Sequence, residues 1–145
     1  MKNDKFYTYL ANLSYLLGMA NNEIKKLTNL SGLEAKLLNQ IRSNNNRASA
    51  SVLAKFNNVT IAAIMHCLQV IEEKGYLVKE VNDDDNRTKN YVLTESGLKQ
   101  VKIATRIFER VTNKYIDYLG PDMPAFERIM EKTINFIKEE EKNND

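Results

Sequence analysis

The chain has 145 residues but only one cysteine and one histidine. Cys67 alone cannot close an intrachain disulfide, and a neighbouring His66 cannot join it in a His/Cys zinc site. No carboxylate cluster has EF-hand spacing, so no metal is expected. A nucleophile paired with a base and a phosphate-binding loop are equally missing. His66 beside Cys67 on one helix is poor geometry for a dyad. Neither an enzyme nor a cofactor is therefore expected. No apolar run approaches the length of a membrane span. The charged fraction of 28% and the mean hydropathy of -0.48 speak against a membrane protein. The opening MKNDKFYTYLAN lacks the basic region and cleavage site of a signal peptide, so a cytoplasmic location is expected. Charge of one sign is scarce as well. A net charge of +2 is low for a nucleic-acid binder, although a local basic patch suffices for one. There is no internal repeat or low-complexity segment.

What is present is a 43% hydrophobic chain, enough for one core with helical extensions. Its most informative stretch is Ile71 to Gly97. Glu72, Glu73 and Lys74 close a helical run, and Gly75 supplies the left-handed residue that commonly ends one. Tyr76–Val81 and Thr88–Leu93 are rich in β-branched and aromatic residues and are predicted as two strands. The polar Asn82–Arg87 segment between them is predicted as the turn. Thr94 fits the N-cap of the next helix. A hairpin directly after a short helix is the layout of a winged helix.

Upstream, Phe6, Leu10, Leu13, Leu17, Ala20, Ile24 and Leu27 alternate spacings of four and three. This is the stripe of a long helix that packs on other helices, in its own core or across a dimer. Ser31-Gly32-Leu33-Glu34 is a capping box. It opens a second helix with Leu33, Leu37, Leu38 and Ile41 on one face. Residues 43–47 are a loop by composition, and Ser49 can cap a third helix carrying Val52, Leu53 and Phe56. Asn57-Asn58 breaks that helix, and Thr60 caps a fourth in which Val59, Ile64, Leu68 and Ile71 face inward. The third and fourth helices form a helix-turn-helix. A long helix from about Thr94 to Tyr118 follows, striped by Leu98, Val101, Ala104, Phe108, Val111, Tyr115 and Tyr118. Gly120-Pro121 stops it. Asp122 caps a last helix with Phe126, Ile129, Met130, Ile134 and Ile137, and the charged tail from Glu139 is expected to fray.

The chain resembles the MarR family of transcriptional regulators. The resemblance rests on Asp85-Asn86-Arg87, Tyr91-Val92-Leu93-Thr94 and Gly97 in the wing, and on Leu53-Ala54, Thr60 and Gly75 upstream. Asn58 stands for the family's turn glycine. It implies a mainly α fold with a small β-hairpin wing: a winged helix-turn-helix at 31–97, flanked by dimerisation helices at 1–30 and 98–145. It also implies a homodimer that represses genes and releases DNA when a small-molecule effector acts. The departures are concrete. Asn57 replaces an apolar residue, so Phe56 is expected to fill that space. The fourth helix has no Arg or Lys before Lys74, and Asp83, Asp84 and Asp85 crowd the wing tip.

The residues expected to meet DNA follow from this layout. Arg87 would reach the minor groove or backbone, with Asp85 holding it by a charge-assisted hydrogen bond. The alternative is a solvated hairpin ion pair. Lys89 is a phosphate contact or an exposed strand lysine. On the fourth helix Ile61, Ala62, Met65, His66 and Gln69 lie opposite the core. Gln69 and His66 can bond base edges. Ile61 and Met65 either meet thymine methyls or pack on the neighbouring helix. Thr60, Ser49 and Arg47 are phosphate candidates. Cys67 is expected to be a buried structural thiol. The tyrosines are expected in core and interface, with a ligand pocket lined by some of them left open. The expected partners are double-stranded DNA and a second copy of the chain. The rival expectation is a winged-helix module that binds a protein partner and has lost DNA recognition.

Overall fold

The computed structural model describes residues 2–57, 59–82 and 85–144, with side chains at 2, 82 and 85–88 left undescribed. The elements run α1 (Lys2–Thr28), α2 (Gly32–Ser43), β1 (Arg47–Ser49), α3 (Ala50–Asn57), α4 (Ile61–Glu73), β2 (Leu77–Asn82), β3 (Asp85–Leu93), α5 (Glu95–Leu119), a 3-10 turn (Gly120–Asp122) and α6 (Met123–Asn143). The chain divides into two compact units, 1–109 and 110–145. The expected mainly α architecture with a hairpin wing is present.

In the first unit, local signals set the element ends. The Ser31 hydroxyl accepts from the Glu34 N–H (3.1 Å), and the Glu34 carboxylate accepts from the Ser31 N–H (2.6 Å), completing the capping box. Thr60 accepts from the Ala63 N–H (3.2 Å), and Thr94 from the Gly97 N–H (3.0 Å). Gly75 adopts φ 81°, which lets its N–H reach Glu72 O (2.8 Å) while the Tyr76 N–H reaches Ile71 O (3.2 Å). This pair of bonds satisfies carbonyls that α4 would otherwise leave open.

The sheet has three antiparallel strands in the order β1-β3-β2. The sequence predicted two. β1 lies in and just after the polar stretch expected as loop, and pairs Arg47, Ala48 and Ser49 with Val92, Tyr91 and Asn90. Asn45 and Asn46, both at positive φ, turn the chain out of α2 into it. β2 and β3 also run further towards the tip than expected, so Asn82 and Asp85–Arg87 belong to strands. Ala48, Leu77 and Tyr91 bury the inner sheet face against Leu37, Leu38, Ile41, Leu53, Ile64, Leu68 and Ile71. α5 contributes Val101, Ala104 and Ile107.

Several inward-facing expectations are corrected. Leu33 and Val59 are exposed, and Ala35 takes the inner place on α2. Phe56 is 70% exposed and does not fill the space at Asn57. There the Asn57 amide donates to Gln40 Oε1 (2.8 Å) and Leu53 O (2.7 Å), so a polar pair spans α2 and α3 where an apolar contact was expected. On α5 Ile107 points inward, and Phe108 and Tyr118 point out. Among the described side chains of α1 only Ala20, Ile24 and Thr28 are buried, and the rest of its stripe is exposed or partly so.

In the second unit Tyr115 and Phe126 meet edge to face, with ring centroids 5.8 Å apart. Asp122 stands at the N-terminus of α6 but makes no side-chain cap, because Gly120 at φ 50° and Pro121 carry the chain through a 3-10 turn instead. α6 stays helical to Asn143, past the point where fraying was expected. Among the described residues, none of α6 is buried. No single described helix is long and apolar enough to cross a membrane.

Candidate nucleic-acid interface

α4 has two faces of opposite character. Ile64, Leu68 and Ile71 are fully buried. Ile61, Ala62, Met65, His66 and Gln69 lie on the other side, as the helical period requires, and all five are exposed. Ile61 is 48% and Met65 50% exposed. About half of each side chain thus stays open to solvent. Gln69 is less free than the sequence suggests, because its amide donates to Glu73 Oε1 (3.3 Å).

The far end of α4 is anchored by a contact that no local pattern foretells. The Lys74 ammonium donates to both Glu34 carboxylate oxygens (3.0 and 3.2 Å) and to Asn29 O (2.9 Å). It thus joins the end of α4 to the corner between α1 and α2, where Asn29 adopts φ 57°. The Glu34 side chain is 9% and the Lys74 side chain 23% exposed. Burial opposes ionisation of Glu34, but the Ser31 N–H, Lys74 and Lys25 outweigh it and hold the carboxyl below its ordinary value. Cys67, half-buried against the core, is pushed the other way. Burial raises its thiol, Glu34 adds to the effect and Lys74 opposes it. A thiol shifted upward makes a poor redox sensor.

Of the remaining DNA-contact candidates, Thr60 is exposed at the start of α4 while its hydroxyl caps the helix. Arg47 and Ser49 belong to β1 and not to the α3 N-terminus proper. Ser49 does accept from the Val52 N–H (3.3 Å) there. Arg47 binds Glu80 across the sheet (2.8 Å). Strand alternation puts Arg47, Ser49, Glu80 and Asn90 on the outer sheet face, and Arg47, Ser49 and Asn90 help to line a shallow depression with Asn44, Val52 and Val92. Lys79, on the inner face, pairs instead with Glu72 of α4 (3.6 Å). Lys89 is an exposed residue of β3 opposite Val81. The side chains of Asp85 and Arg87, like residues Asp83 and Asp84, lie outside the described residues.

The wing is fastened at its root. The Thr94 hydroxyl donates to Gly75 O (2.7 Å) while accepting from the Gly97 N–H, and the Thr94 N–H reaches Tyr76 O (3.2 Å). A Cβ on Gly97 would collide with the Tyr76 carbonyl. Glycine is required at Gly97 by this close approach of two backbones.

Residues 30–97 match the family model of the winged helix DNA-binding domain. Three solved structures share the fold. A MarR family transcriptional regulator from Streptomyces coelicolor in complex with DNA aligns at TM-score 0.81 and 17% identity, covering 93% of this chain and 90% of its own. The MepR–DNA complex of S. aureus aligns at TM-score 0.78 and 20% identity, with 92% and 97% covered. An organohalide-sensing transcriptional regulator bound to 2,4-dichlorophenol aligns at TM-score 0.81 and 14% identity, with 94% and 81% covered. No curated protein matches by sequence. The match places a winged helix DNA-binding domain within residues 30–97. Its fold throughout is that of the MarR-family regulators, as the wing and helix-turn-helix residues implied.

Proposed function

We propose that the chain is a cytoplasmic repressor that works as a homodimer on a pseudo-palindromic operator and leaves it when a small molecule binds. Two copies of α4 enter successive major grooves about one helical turn apart. The observation that carries this reading is the split character of α4, whose inner face is fully buried while Ile61, Ala62, Met65, His66 and Gln69 stand exposed on the second helix of a helix-turn-helix. The DNA complexes among the structural relatives support it, and the chlorophenol-bound relative supports ligand control. Helices from 1–30 and 98–145 are the dimerisation region in this reading. Their support is the apolar surface left open on α1 and α6, including Phe6, Leu10, Ile134 and Ile137. Arg87 reaches the minor groove or backbone from the wing, steadied by Asp85, and Thr60 and Lys89 touch phosphate. The ligand acts by biasing the spacing of the two reading heads.

The test is a gel shift of the full chain on the promoters flanking its own gene. Retarded complexes that weaken steeply with salt through counterion release are expected. Arg87→Ala should weaken them about tenfold without loss of the dimer, and unchanged affinity would remove the wing from the interface. A second reading, a winged-helix module for a protein partner, draws on one observation: Lys74 at the end of α4 and Lys79 beside its Glu72 are already paired. It requires that no DNA complex form even at low salt.

A further inference from the structure

The geometry points to thymine methyl groups as the main feature that α4 reads, so that target half-sites are thymine-rich and distinguished by apolar contact more than by hydrogen bonds to guanine. This rests on the DNA-binding reading above and specifies its ligand. Guanine is read in the major groove chiefly by Arg or Lys, bidentate to O6 and N7. α4 carries neither residue. The first cation after it, Lys74, spends its hydrogen bonds on Glu34 and Asn29. Gln69, which could pair adenine, is tied to Glu73, and that carboxylate repels phosphate. His66 remains as the one exposed polar side chain of the outer face without such a tether among the described residues.

The outer face is otherwise apolar. Ile61 and Met65 are one helical turn apart and each is half-exposed, with Ala62 between them. A branched and a flexible apolar side chain flanking an alanine form a short ridge. Such a ridge gains nothing from water and gains burial against the C5-methyl of thymine. Each methyl so covered is worth about fourfold in affinity. Two per half-site give about fifteenfold.

The experiment begins with duplexes selected by the full-length protein from a random-sequence pool at low salt. The enriched duplex is then resynthesised with deoxyuridine for thymidine in one half-site, which removes only the methyl groups. The expected result is a loss of about tenfold or more in affinity. Ile61→Ala and Met65→Ala, at half-exposed positions that should leave folding intact, are each expected to cut the penalty to about fourfold, and the double variant to bind the two duplexes nearly equally. Three results overturn the inference. Equal affinity of wild type for thymidine and deoxyuridine duplexes removes it while leaving DNA binding in place. A deoxyuridine penalty that persists undiminished in both variants puts the methyl contact elsewhere. Failure to enrich any duplex removes the DNA-binding reading and the inference together.

Discussion

Helix α4 buries Ile64, Leu68 and Ile71 completely, whereas α6 carries Ile129, Ile134 and Ile137 at helical spacing and leaves each half-exposed. Both helices show an apolar stripe at helical spacing. Their surroundings differ. α4 is enclosed by α2, α3, the sheet and α5 within one unit, and its apolar stripe meets a complete core. α6 has no buried residue among those described, and the Tyr115–Phe126 ring pair joins it to the helix before it. An apolar stripe thus tells that a helix wants a partner but not whether the partner lies in the same chain. The winged-helix part supplies its own; in the proposed function a second copy supplies the other.

Four substitutions would break or sharpen this contrast. Leu68→Ala should have the largest effect, lowering stability by about 3 kcal/mol, since a fully buried leucine leaves a cavity. Urea melts should show the same loss at every protein concentration. A loss that vanished on raising the concentration would mean that the winged helix is not self-supporting. Gly97→Ala should cost about 2 kcal/mol by forcing the Tyr76 carbonyl away, and it should loosen the wing root in hydrogen exchange at Thr94.

Lys74→Met should cost about 2 kcal/mol at neutral pH, below the range for fully buried pairs because Lys74 keeps some solvent contact. Its pH dependence follows from Glu34. A carboxyl whose folded pKa is lowered stabilises the fold above its unfolded value and loses that contribution as pH falls through the folded value. The gap between wild type and Lys74→Met should therefore narrow on acidification below about pH 4, near the unfolded glutamate range. A gap constant from pH 7 to 3 would show that Lys74 acts by packing alone. Ile134→Ser should be smallest, within about 0.5 kcal/mol for the isolated chain. At high concentration it should weaken self-association in sedimentation equilibrium. No change there would remove α6 from the proposed dimer interface.

Legibility in the sequence follows the range of the interaction. Ser31 with Glu34, Thr60, Thr94 and Gly75 act on backbone groups within a few residues, and each performs the role its neighbours implied. β1 escaped notice because three residues among asparagines become a strand only when the edge of β3, more than 40 residues later, accepts them. The Glu34–Lys74 pair and the Gln40–Asn57 pair have the same origin in distant chain segments. Phe56 stays exposed where the sequence predicts it to fill the space at Asn57, and a polar link from Asn57 to Gln40 joins α2 and α3 there. At the reading face the residue types were legible, and their outward direction followed from helical phase. What phase could not reveal is the tether on Gln69 and the engagement of Lys74 at the end of α4.

The three-way clamp at Gly75, Thr94 and Gly97 makes the wing a cantilever. Its root is bolted at once to the last turn of α4 and the first turn of α5. A load applied at the tip cannot be absorbed by the hinge of a free loop, so it arrives as torque on both helices together. The hairpin is therefore a lever as much as a finger.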